Sequence, residues 1–183
     1  MPDFSGGNYA PPGRCGLATI GSLSWSTMAG QSQHLIASNA ASAVYTLANY
    51  AIFVPFIAET WFTVYHLGWY NGTVVSGNVD CGIYNQYGTR LVSTGSTAQA
   101  GVSGLQIVNI TDLAVSPGYY YMAFAMDNIT GTVFRGTPAL AMNEANDVRE
   151  VTTGFPLPST ATMVNSTRAY IPTYYAFLNS LVT

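Results

Sequence analysis

The chain has 183 residues, which fits one domain or one domain carrying an arm, and 49% of them are hydrophobic, enough for a core that needs no staples. Only 7% are charged, with no lysine and a net charge of −3, against about 25% charged in an average soluble domain. Five arginines scattered singly cannot neutralise a run of phosphates, which argues against a nucleic-acid partner.

A surface this poor in charge must be covered by Ser, Thr, Asn, Gln, Gly and Tyr, and the mean hydropathy is +0.23. Such a surface repels its copies weakly and is easily desolvated, so a homo-oligomer is expected, a trimer being favoured. Met1 to Gly7 has neither a basic nor an apolar leader pattern, so no secretory signal is read there. The longest apolar stretch, 48–58, is interrupted by Asn49 and Pro55 and is shorter than the ~20 residues of a membrane span, so no membrane partner is expected. Cys15 and Cys81 are expected as free thiols of a reducing compartment. The four Asn-x-Thr or Asn-x-Ser-type sequons, at Asn71, Asn109, Asn128 and Asn165, are taken as by-products of an Asn/Thr-rich composition.

Along the chain, residues 1–32 read as an arm. Gly6-Gly7, Pro11-Pro12-Gly13, Gly16, Gly21 and Gly30 break every candidate element. Residues 33–48 are ambiguous, since Leu35, Ala43, Val44 and Leu47 could share a helical face. The boundary is set between an arm at 1–41 and a β-sandwich domain at 42–183. Phe4, Tyr9 and Trp25 are the arm's candidate docking residues, because so many large apolar groups do not suit an idle linker.

From Tyr50 the pattern becomes one of strands. Ile52 to Ile57 is an apolar run in which Pro55 argues for an edge position. Residues 61–70, rich in aromatic and β-branched side chains, form a second strand with both faces apolar and covered, ending at the turn dipeptide Asn71-Gly72. Val79 to Tyr84 and Thr89 to Ser93 flank a hairpin loop at 85–88. Leu105 to Thr111 is a strand, and Ser116-Pro117-Gly118 turns the chain into Tyr119 to Met126. Thr132 to Arg135 follows as a short strand, 142–151 as a short helix or loop, 152–170 as irregular chain, and 169–178 as a last strand despite Pro172. Strands at this spacing, with Gly, Pro and Asn between them, indicate an all-β, antiparallel, jelly-roll-like sandwich with an irregular N-terminal arm.

No catalytic constellation stands out, and the chain is not read as an enzyme; no metal, cofactor or catalytic residue is assigned. His34 and His66 are the only histidines, and His66 lies within a strand as a structural residue. Gly21 to Trp25 shares only its first residue with a nucleophile elbow, and Cys81 looks like core. Asp80 and Asp127 could approach across neighbouring strands, but acids near turns usually accept backbone amides. Glu144, Asp147 and Glu150, spaced by three, read as a solvated face. In Tyr119 to Met126 the heavy face of Tyr120, Met122, Phe124 and Met126 suits the core. The lighter face, with Tyr119 and Tyr121, suits either an interface or further core, and these two tyrosines are the domain's candidate interface residues.

Residues 50–136 then resemble a segment of tailed-phage and prophage virion proteins. The resemblance is carried by Ile52 to Phe56 (IFVPF), Tyr70 to Thr73 (YNGT), Ser76 to Tyr84 (SGNVDCGIY), Gly88 to Gly101 (GTRLVSTGSTAQAG) and Ser116 to Gly131 (SPGYYYMAFAMDNITG). It implies a β-sandwich on the virion exterior, as a capsid decoration (cement), head-fibre or tail-fibre protein. The implied partners are the major capsid protein or other virion subunits. The alternative it leaves is a tail-tip adhesin binding host-surface glycans. Residence in the virion follows from the same likeness, and the cytoplasmic synthesis expected from the lack of a leader pattern and from the free thiols fits assembly inside a bacterial host.

Overall fold

The computed structural model describes residues 23–24, 41–58, 60–137 and 140–180. In chain order these form β1 (Leu23–Ser24), β2 (Ala41–Val44), β3 (Tyr50–Ala58), β4 (Phe62–Tyr70), β5 (Asn78–Asn85), β6 (Arg90–Ser93) and β7 (Thr97–Ala98). Then come β8 (Leu105–Val115), β9 (Gly118–Met126), β10 (Thr132–Gly136), a short helix α1 (Leu140–Ala145), β11 (Arg149–Val151), β12 (Val164–Asn165), β13 (Ile171–Pro172) and β14 (Tyr174–Ser180). The protein is an all-β, antiparallel sandwich. One sheet has the order β1-β14-β4-β8, the other β12-β11-β3-β9-β5-β6 with β7 beside β5, and a small third sheet runs β13-β10-β2.

Period-two alternation explains how the larger sheet serves two cores at once. Ile52, Val54 and Phe56 of β3, Val79, Cys81 and Ile83 of β5, and Met122, Phe124 and Met126 of β9 point to one side. There they meet Phe62, Val64, Leu67 and Trp69 of β4, Ile110 and Val115 of β8, and Tyr174 and Ala176 of β14. The intervening residues Ala51, Phe53, Tyr84, Tyr121, Ala123 and Ala125 build a second, smaller core on the opposite side, with Leu157 and Ala161. The heavy face of β9 therefore takes the inter-sheet position that its bulk suits. Its light face is covered by residues 151–163 of the same chain, not left open.

That covering strap is tied down along its length. Gly154 N–H donates to Asn49 O at 2.6 Å, Tyr84 OH to Pro158 O at 2.6 Å, Arg90 N–H to Ser159 O at 2.9 Å and Ala161 N–H to Gly88 O at 2.8 Å. The Arg90 guanidinium also donates to Leu157 O. Gly88, in the β5–β6 hairpin, has a φ of +82°, and a Cβ there would lie 2.3 Å from Ala161 O. Gly95 has a similar φ of +67° with nothing within 4 Å. Gly95→Ala should cost only the left-handed strain, about 1–2 kcal/mol, whereas Gly88→Ala must also push the strap away. Thermal denaturation of the two variants should show Gly88→Ala as clearly the worse; equal losses would mean that the strap is not seated on the hairpin.

Several expectations change in the fold. Asn71-Gly72 makes no hairpin. Asn71 is fully buried and bridges to Val133, and Gly72 donates to Thr132 O at 2.8 Å. A Cβ on Gly72 would meet Ser42 Oγ and Thr132 Oγ1 at 2.3 Å, so this glycine makes room for the two hydroxyls, and β4 has its neighbours in β8 and β14. Pro55 lies in a strand flanked on both sides, yet β11 pairs only with Ala51 to Phe53, so the proline falls past the end of that neighbour. Of the ambiguous 33–48 stretch, residues 41–44 are a strand paired with β10. The outward residues Thr63, Tyr65 and Tyr70 of β4 are half-buried, and Trp61 precedes the strand. Asn85–Gly88, the Ser116–Gly118 turn, β9 and β10 lie where the pattern puts them. The single last strand expected over 169–178 is instead two, β13 ending at Pro172 and pairing with β10, and β14 starting at Tyr174 and pairing with β4.

Candidate interaction surface

The carboxylates show first what the fold does with its few charges. Asp80, fully buried on β5, accepts the Leu157 amide at 3.0 Å and the Thr94 hydroxyl at 3.2 Å, holding the strap to the sheet. Burial raises its pKa above the ordinary value, outweighing these hydrogen bonds. Asp127 accepts the backbone amide of Asn78 at 2.9 Å and its side-chain amide at 3.0 Å. Both acids thus hold backbone amides, Asp127 just past the end of β9 and Asp80 from within β5. Cys81 is a free thiol buried in the inter-sheet core, and burial pushes its pKa well up.

The acidic trio of Glu144, Asp147 and Glu150 does not form a solvated face. Glu144 is exposed, but the chain turns at Asp147 (φ +56°) and enters β11, so the helical spacing ends before Glu150. Glu150 is buried and accepts Tyr50 OH at 2.6 Å, the Thr167 amide at 2.7 Å and the Thr167 hydroxyl at 3.0 Å. Burial alone would raise its carboxyl; these donors outweigh it and hold the pKa below the ordinary value. Asp147 accepts Tyr119 OH at 2.8 Å and Tyr121 OH at 2.5 Å through one oxygen and pairs with Arg149 through the other.

Tyr119 and Tyr121, the sandwich's candidate interface residues, are therefore engaged within the chain. Tyr121 is only 5% exposed and Tyr119 half-buried, and their rings meet edge-on at 5.4 Å. They brace the β11 corner instead of presenting an open aromatic face. Phe4, Tyr9, Trp25, Cys15 and His34 lie outside the described residues. His66 is half-buried on β4, opposite Asn109, with the Tyr65 ring 5.0 Å away.

The surface that is open lies on β8. Among the described residues this strand ends its sheet, with β4 as its one neighbour. Its inner residues Val108, Ile110 and Leu113 pack on the core, while Leu105 and Ile107 stand 44% and 49% exposed on the outer face. The register explains Ile107: it faces Gly68, which offers no side chain to cover it. Asp112 is the single charge in β8. Edge strands ordinarily carry lysines, prolines or inward charges that prevent pairing with another chain, and β8 has none of these over 105–111.

A second open feature is aromatic. Ala58 pairs with Gly118 and Asn85 with Tyr120, so the β3–β4 and β5–β6 loops leave the larger sheet at the same end. Those loops carry Trp61, 60% exposed, and Tyr87, 79% exposed. Sequence reading missed Trp61, Tyr87, Leu105 and Ile107. For β8 a signal existed, since the run from Leu105 to Ile110 is apolar on both faces although only one is covered.

Among the described residues there is no group of three or more His, Cys, Asp and Glu able to hold a metal ion, and no helix long and apolar enough to cross a membrane. Comparison with models of known families, with curated proteins and with solved structures finds no match to this chain.

Proposed function

We propose that this protein is a structural component of a tailed-phage virion, a capsid-decoration (cement) or head-fibre protein on the particle exterior that acts as a homo-oligomer. The observation that carries the reading is the use of charge. Buried or half-buried Asp80, Asp127, Asp147 and Glu150 lock the strap, turns and corner of the fold, while the exposed β8 edge carries apolar residues and a single charge. Such an arrangement serves permanent packing against neighbouring subunits more readily than chemistry on a soluble substrate. The sequence likeness over residues 50–136 points the same way, with the major capsid protein or other virion subunits as partners.

A second reading has its own observation. Trp61 and Tyr87 expose flat aromatic faces at one end of the sandwich, where a tail-tip adhesin would stack a host-surface glycan. Copy number separates the two. Quantitative mass spectrometry of purified virions should give a stoichiometry comparable to the major capsid protein, with labelled chain imaged over the head. A stoichiometry comparable to tail proteins, with label at the tail tip, would replace the first reading by the second. Absence of the chain from particles would remove both.

A further inference from the structure

From the open edge of β8 we infer that two copies of this chain join by antiparallel pairing of β8 with β8 about a two-fold axis at Ile107. The inference deepens the assembly reading, on which it rests, by naming the seam and the partner.

The outer edge of β8 offers backbone N–H and C=O groups that, among the described residues, no strand takes up. What satisfies such a row is another strand edge, and three features favour a second copy. Charge is the first. A two-fold register centred on Ile107 places Leu105 opposite Asn109 and Ile107 opposite itself. Asp112 lies beyond the paired stretch 105–109, past the irregularity that separates Asn109 from Leu113, so the one acid of each strand does not meet its symmetry mate. The chain has no lysine to stand guard elsewhere along this edge. The second feature is apolar surface. Leu105 and Ile107 are exposed on the same outer face of the strand, and the two-fold axis would join the two copies' pairs into one covered patch. Directly opposed apolar side chains in an antiparallel pair have Cβ atoms about 4.5–5.5 Å apart, close enough to exclude water. The third is closure. Pairing β8 with a different edge of the next copy would leave an edge open at each end and propagate, whereas self-pairing uses both edges and stops at two. The seam therefore makes a pair, the building unit from which any larger assembly on the particle starts, in place of the trimer expected from composition.

The experiment uses the purified full-length chain, so the self-pairing is judged separately from copy number on the virion. Light scattering should give twice the monomer mass for the wild type. Leu105→Lys/Ile107→Lys sets like charges near the axis on side chains that are already exposed. It should halve the mass while the circular dichroism spectrum and melting temperature stay near wild type. Val164→Lys, on exposed β12, should leave the dimer intact. In a Cys15→Ser background, Ile107→Cys should form an intermolecular disulfide under mild oxidation, while Leu91→Cys, exposed on β6, should not. A wild type that is monomeric at tens of micromolar overturns the inference. So does a dimer or trimer whose mass is unchanged by the double lysine variant, or an oligomer in which Ile107→Cys fails to cross-link. If the lysine variant misfolds, the Ile107→Cys result decides alone.

Discussion

Phe124→Ala should be among the most damaging single substitutions in this protein, at about 3–5 kcal/mol. Phe124 sits mid-strand on β9, paired with Ile52 on one side and Cys81 on the other. Its fully buried ring contacts Tyr45 at 5.6 Å, Tyr174 at 5.7 Å and Trp69 at 6.5 Å. Those three come from the loop after β2, from β14 and from β4, so one side chain bridges the two main sheets. Truncation removes the transfer free energy of the ring and leaves a cavity that paired strands on both sides cannot collapse. Domains of this size lose about 2–4 °C of melting temperature per kcal/mol, so a fall of roughly 6–20 °C is expected by calorimetry. Phe124→Leu, which keeps most of the volume, should lose well under half as much. A loss below about 1 kcal/mol for the alanine variant would mean that the sheets do not pack through this residue.

Glu150→Ala comes next, at about 2–4 kcal/mol, because it strands the buried Tyr50 hydroxyl and the Thr167 amide. The Arg168 guanidinium lies over the Tyr50 ring at 5.7 Å, so the loss also loosens the 165–168 turn against β3. The acid also sets a pH dependence. Its folded pKa is depressed below its unfolded value, so its contribution is complete above the ordinary carboxylate range. It is lost as pH falls through that range towards the folded value. Asp147 and Asp127 behave alike, since donors outweigh burial at each. Asp80 has the opposite sign. Its raised pKa makes protonation favour the folded state, which partly offsets the others as pH falls. Urea midpoints measured across roughly pH 6 to 3 should therefore decline, and Glu150→Gln should make that decline shallower. An unchanged slope in Glu150→Gln would show that this carboxylate is not what titrates.

The sequence by itself determined the strands that carry period-two alternation and the turns that end them. Tyr119 to Met126 shows why. Its alternate residues differ so much in size that the heavy set must take the wider inter-sheet space, whatever the neighbours are. The 85–88 loop was legible because Gly88 needs a left-handed backbone and Asn85 can cap the turn with its own side chain, accepting the Tyr87 and Thr89 amides. The two-layer outcome followed from the same local rules.

What lies across a face is decided only by chains that return from far away. Asn71-Gly72 has the composition of a hairpin turn, yet the buried indole of Trp69 donates to Asn71 Oδ1 at 2.8 Å, while the Asn71 amide reaches Ala100 O at 2.6 Å and Gln106 Oε1 at 3.0 Å. These partners, up to 35 residues distant, outweigh a two-residue preference. The light face of β9 reads equally well as an interface or as core, and the choice is made by the strap at 151–163, itself irregular chain with no period to announce it. Asp147 and Glu150 look solvent-facing in a helical register, but a left-handed residue at 147 breaks that register and turns one acid under two tyrosines and the other into the core. Tertiary structure also left Ile107 uncovered, by placing Gly68 opposite it. Periodicity reports which residues share a face; only packing reports whether that face is met by the same chain, by another or by water.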